Sequence, residues 1–134
     1  MDPRAFDTIL RLTNDTDERV RYDATLALGK LGDDRAIEPL VSMVFEDDET
    51  LPAVGVLSDF GLKAIEPFRR LLREGNGSVR LEAVNGLGSI ASKFESSECI
   101  DMLRACLSDP DESVREDARY WLEQELPAGA TIHP

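Results

Sequence analysis

At 134 residues, 42% apolar and 31% charged, the chain carries one domain's worth of material, enough to bury roughly two-thirds of its unfolded surface. Its 27 acids against 15 bases leave a formal charge of −12, a field that repels phosphate backbones and argues against nucleic acid as a ligand. No apolar run approaches the ~20 residues of a membrane span, and the opening MDPRAFD lacks the basic and apolar regions of a signal peptide, so a cytoplasmic protein is expected.

Taken in order, the chain reads as eight helices. Asp2-Pro3 opens the first, about 3–13, with a carboxylate to cap and proline at the first helical position; Phe6, Ile9, Leu10 and Thr13 share one side. Residues 14–17 form a turn with Asp17 as the next cap. The second helix, about 18–31, buries Val20, Ala24, Ala27, Leu28 and Leu31, while Gly29 and Gly32 let the following helix approach and end this one. The third, about 35–45, presents Ile37, Leu40, Val41 and Val44, with Pro39 in its first turns, where a missing amide is tolerated. A fourth follows over about 49–60, and a fifth over about 62–73 carries Ile65, Phe68, Leu71 and Leu72. Residues 75–78 turn the chain with Ser78 as cap into a sixth helix that runs to about 92. The seventh, about 97–108, bears Ile100, Leu103 and Leu107, and Asp109-Pro110-Asp111 leads into the eighth, about 112–125. Residues 127–134 lack periodicity and are expected to be a mobile tail on a domain spanning 1–126.

Pieces of the second helix recur. Val20-Arg21, Ala24 and Leu28-Gly29 return as Val79-Arg80, Ala83 and Leu87-Gly88, and again in part as Val114-Arg115, Ala118 and Leu122. Ala36-Ile37-Glu38-Pro39-Leu40 returns as Ala64-Ile65-Glu66-Pro67-Phe68. The spacings of 59 and 28 residues correspond to a unit of about 29, the size of one helix–turn–helix repeat, and the last Val-Arg follows 35 residues further on. Leu28-Gly29-Lys30-Leu31-Gly32-Asp33 followed by Ala36 to Leu40 resembles the short HEAT-like repeats of phycobilisome-lyase-type proteins, and the resemblance extends over about 5–126. It implies an all-α, right-handed α-solenoid of about four antiparallel helix pairs, HEAT/armadillo-like. Two places depart from the pattern. Glu49-Thr50 stands where Val-Arg is expected, with Pro52 early and Gly55 replacing a larger residue, and Lys93-Phe94-Glu95 replaces a Gly-Asp turn.

Residues suited to catalysis or metal binding are scarce. His133 is the only histidine and lies in the tail, away from any base or ligand neighbour. Cys99 and Cys106 sit about 10 Å apart along one helix, beyond the reach of a disulfide, and belong to an apolar stripe with Met102 and Leu103. The acidic turns at 14–18, 47–49 and 109–112 stand at helix starts, where carboxylates cap amides and complement the macrodipole. No cofactor, metal or catalytic group is assigned.

The resemblance places one helix of each pair on a concave face, and alignment of the repeats gives two columns there: Asp7, Glu38, Glu66 and Asp101, then Leu10, Val41, Arg69 and Arg104. Arg69 and Arg104, with Arg70 and Arg73 close by, form a basic spot in an acidic protein, suited to carboxylate or phosphate groups on a partner. The competing reading is local pairing of Glu66 with Arg69 and Arg70, and of Asp101 with Arg104. Arg21, Arg80 and Arg115 are expected in a structural ladder with Asp17, Asp33 and Asp111. Tyr22, Leu51 and Leu81 form a row on the outer face. Tyr120 and Trp121 lie on the last helix, either as a docking or self-association surface or folded inward as a cap.

The expected function is a non-catalytic protein–protein interaction scaffold or adaptor whose concave arginines and C-terminal end dock another protein. The resemblance also permits an accessory subunit of a lyase or oxidoreductase system that binds a tetrapyrrole (bilin or haem), with space supplied around Gly55. End-to-end self-assembly is a third option.

Overall fold

The computed structural model describes residues 4–46, 52–125 and 132. Among them are eight α-helices and no strand: α1 (Arg4–Leu12), α2 (Glu18–Leu31), α3 (Ile37–Phe45), α4 (Ala53–Ser58), α5 (Ile65–Glu74), α6 (Gly77–Phe94), α7 (Ser97–Ala105) and α8 (Glu112–Glu125). Single 3-10 turns lead into α3 (Asp34–Ala36) and α5 (Gly61–Ala64), and a third extends α7 (Cys106–Ser108). The eight-helix, all-α reading holds; α4 ends at Ser58, before the expected 60, and residues 49–51 of its expected span lie outside the described residues. Residues 47–51 and most of the expected tail lie outside the described residues, and with them Leu51, His133 and the acidic turn at 47–49.

The chain forms two compact units, 1–60 and 61–134. In the first, α1 packs on α2, α3 on α4, and α2 against α4. Leu28, Leu40, Val41, Val44 and Leu57 are fully enclosed, each on the apolar stripe that helical periodicity assigns it. Thr25 is buried among them because its hydroxyl donates to the Arg21 carbonyl (2.8 Å) and faces the Met43 sulfur (3.9 Å). In the second unit, α5 and α7 each pack on α6, α7 also packs on α8, and α6 and α8 form the most extensive helix contact. Phe68, Leu71, Val79, Leu87, Ile90, Leu103 and Leu122 are fully buried here, each contributing about 1.5–3 kcal/mol by leaving water.

Helix ends follow local chemistry. Asp17 caps α2 through the Arg19 amide (2.9 Å), as its position implies. Gly32 ends α2 in the left-handed region (φ 64°), returning its amide to the Gly29 carbonyl. The close approach at Gly29 is made by α4 and not by the next helix: a Cβ there would fall 2.8 Å from the Val56 Cγ1. The cap of α6 is Asn76, whose Oδ1 accepts the Val79 amide (2.9 Å), and not Ser78, which falls inside the helix. Asn stands three residues before that amide, the spacing a cap requires, and the helix therefore starts at Gly77. At the far end of α6, Glu95 adopts φ 49°, the conformation Gly32 gives α2, with its amide bonded to the Ala91 carbonyl. The departure at Lys93-Phe94-Glu95 keeps the turn geometry and loses the glycine.

Candidate interaction surface

Two corners of the chain are built alike. Asp15 accepts the Asp17 amide, Asp17 accepts the Arg19 amide, and Arg21 Nη1 returns to the carbonyls of Asp15 (2.9 Å) and Thr16 (3.2 Å). Asp109 accepts the Asp111 amide, Asp111 accepts the Ser113 amide, and Arg115 Nη1 returns to the carbonyls of Asp109 (2.8 Å) and Pro110 (3.1 Å). The acidic oxygens thus cap amides. The expected ladder through Asp17, Asp33 and Asp111 is corrected: Asp17 and Asp111 hold their own helix starts, and Asp33 pairs with Arg35 (2.6 Å). The inter-repeat rung is Arg80 to Asp109, with Nε–Oδ2 2.9 Å and Nη2–Oδ1 3.2 Å, while Arg80 Nη1 also holds the Gly75 carbonyl (3.1 Å). Burial pushes the Asp109 carboxyl up, but hydrogen bonds from Arg80 and the Asp111 amide, with the charges of Arg80 and Arg115, outweigh it and leave it below the usual carboxylate range.

Beside this rung, α5 and α7 enclose an open groove of about 310 Å³, lined by Arg69, Leu72, Arg73, Met102, Ala105, Cys106 and Asp109. Arg69 is held at its rim by Glu66 (3.1 Å) and, from the next repeat, by Glu98. The local pairing read from the sequence is therefore present, and Glu98 adds a partner that i, i+3 spacing does not reveal. Arg73 is exposed and makes one long contact to Glu74 (3.4 Å). Arg70 and Arg104 do not line the groove, and Arg104 is partly exposed on α7. The four arginines thus divide, with Arg69 and Arg73 on the groove.

The first unit contains the equivalent groove. Between α1 and α3 a space of about 280 Å³ is lined by Leu10, Thr13, Asn14, Arg21, Pro39, Ser42, Met43 and Glu46. Leu10 corresponds to Arg69, Thr13 to Leu72, Asn14 to Arg73, Met43 to Met102 and Glu46 to Ala105, each pair 59 residues apart. One architecture therefore appears with two linings, the second more apolar at Leu72 and Ala105 and more positive at Arg69, Arg73 and Ala105.

Comparison with known families agrees with this repetition. The family model for HEAT repeats matches residues 1–56, and that for the PBS lyase HEAT-like repeat matches residues 79–109, together more than half of the chain. The chain is a HEAT-like repeat protein. No curated protein matches it closely enough to count as a relative. The second HEAT-like match begins at Val79 and ends at Asp109, so it contains both partners of the Arg80–Asp109 rung.

In the last HEAT-like helix the aromatic pair separates. Trp121 folds inward over Gly88 of α6, where a Cβ would collide with the indole, and its Nε1 donates to Asn85 Oδ1 (2.9 Å). Asn85 in turn donates to Asp117 Oδ2 and the Leu81 carbonyl (both 3.0 Å), tying α8 to α6. Tyr120 stands edge-on to Trp121 and is 55% exposed on a face otherwise made of Glu112, Ser113, Glu116, Arg119 and Glu123. A polar outer face is what a capping helix needs.

Other candidates are placed as follows. Cys99 and Cys106 are free, buried thiols; burial raises both, Cys106 to about 11. Gly55 is exposed and faces open space, so its missing side chain opens no enclosed pocket. Tyr22 is exposed on α2 and Leu81 half-buried on α6. No helix among the described residues is long and apolar enough to cross a membrane, and no three His, Cys, Asp or Glu side chains gather there as a metal site.

Proposed function

We propose that this HEAT-like protein is a non-catalytic scaffold that docks a partner protein on the α5–α7 face of its second unit. The observation that carries the reading is the lining of the groove there. Leu72, Met102 and Ala105 offer apolar surface at positions where the equivalent groove of the first unit holds Thr13, Met43 and Glu46. An apolar floor with arginine at the rim supports a protein contact: the floor supplies burial and the guanidinium supplies directed hydrogen bonds. Two buried free thiols are compatible with a reducing compartment, and the cytoplasm is the location we propose.

The experiment is differential affinity capture from the native host with three full-length baits. One is wild type, one carries Leu72→Thr, Arg73→Asn and Ala105→Glu, and one carries Glu112→Gln and Glu116→Gln on the outer face of α8. The first substitution set installs the residues that the first unit already tolerates at the same places. A partner held by the wild type and the α8 variant but lost from the groove variant supports the reading. A partner held equally by all three overturns it.

A further inference from the structure

The occupant of the α5–α7 groove follows from the comparison of the two linings, and the inference rests on the scaffold reading above. We infer that the groove takes a short peptide segment of a partner in which an aliphatic side chain lies next to an aspartate or glutamate. Between the two grooves, Leu10 gives way to Arg69, Asn14 to Arg73 and Glu46 to Ala105, three changes toward positive charge; Arg21, which lines only the first groove, and Asp109, which lines only the second, offset part of them and leave the second lining one unit more positive. A fourth, Thr13 to Leu72, replaces a hydroxyl by an aliphatic side chain, and Met43 and Met102 keep an adaptable floor in both.

Within the groove the charges differ in availability. Asp109 is held by Arg80 and the Asp111 amide, so it presents no unmatched negative charge to an incoming group. Arg69 is bracketed by Glu66 and Glu98. Arg73 is the available cation: its side chain is 67% exposed and its contact to Glu74 is a long surface pair of the kind that contributes little. An incoming carboxylate can replace Glu74 with two-pronged geometry, while a neighbouring aliphatic group enters among Leu72, Met102 and Ala105. The volume of about 310 Å³ lies at the lower end of ligand pockets and suits one or two side chains of a segment laid along the helices. The −12 charge of the whole chain disfavours an acidic domain at long range, which is why the occupant is a short segment.

The test is selection from a phage-displayed random dodecapeptide library on the full-length chain, with the recovered peptides synthesised and titrated. The expected result is enrichment of peptides with an aliphatic residue beside Asp or Glu. Their affinity should fall at least tenfold on Arg73→Asn and on the triple variant Leu72→Thr, Arg73→Asn, Ala105→Glu, and weaken with added salt. Enrichment of basic peptides, binding that survives both variants, or no enrichment overturns the inference. The scaffold reading fails separately, if the captured partner protein is indifferent to the same triple variant.

Discussion

Arg80 clasps Asp109 with two nitrogens, and the two residues are 29 positions apart, one repeat length. The pair is shielded, with side-chain exposures of 20% and 9%, and it fastens the start of α6 to the turn before α8. Since the Asp109 carboxyl is held below its usual range, its contribution to stability is complete above the unfolded value near 3.8 and is lost as pH falls through the folded value. Asp109→Asn is expected to destabilise the second unit by about 1–3 kcal/mol at pH 7, because Arg80 loses its charged partner. In urea titrations followed by Trp121 fluorescence, the gap between variant and wild type should narrow as pH is lowered below 3.8. A gap independent of pH would contradict the assignment.

Glu95 holds a left-handed conformation that costs an L-residue about 1–2 kcal/mol. Glycine removes that cost and adds about 0.5–1 kcal/mol of chain entropy to the unfolded state. The first term is larger, so Glu95→Gly should stabilise the second unit by about 0.5–1 kcal/mol. A lower urea midpoint for this variant would show that the Glu95 side chain contributes more than its backbone strain removes.

Gly88→Ala is expected to displace Trp121 from α6, since the added methyl meets the indole. Overpacking of this kind costs about 1–3 kcal/mol. Trp121 is the only tryptophan, so its emission should shift to the red in the folded variant as the Asn85 hydrogen bond is broken. Unchanged emission would place the indole elsewhere.

The thiols of Cys99 and Cys106 are expected to react slowly with a thiol reagent at pH 8 and at full rate in urea. Cys106 has a folded pKa raised from 9.0 to about 11, so its contribution is complete below 9.0 and lost as pH rises through the folded value. Stability should therefore decline between those limits in Cys106, and Cys106→Ser should flatten the decline. Rapid modification of the native chain would contradict the burial.

The helices were legible because Val-Arg, Leu-Gly and Ala-Ile-x-Pro recur in the same order and their apolar stripes keep helical period. The caps were legible where one residue type stood alone, as Asp17 and Gly32 did, and less so at 75–78, where Asn76 and Ser78 both qualify and only the amide geometry decides. Glu66 with Arg69 could be read from i, i+3 spacing, whereas Glu98 with Arg69 and Asp109 with Arg80 depend on how one repeat stacks on the next. The sequence signal for both is a partner at the repeat length of 29, which a search confined to one helix overlooks. Trp121 offered a similar clue in Gly88, a small residue opposite a large one, recognisable once α6 and α8 are known to touch.

Amide hydrogen exchange of the full-length chain, with and without the partner recovered by differential capture, tests the docking face most directly. Protection on binding should concentrate in α5 and α7, around Leu72, Arg73, Met102 and Ala105, and leave α2 and the outer side of α8 unchanged. Protection confined to α2, or to Tyr120 and its neighbours on α8, would contradict it.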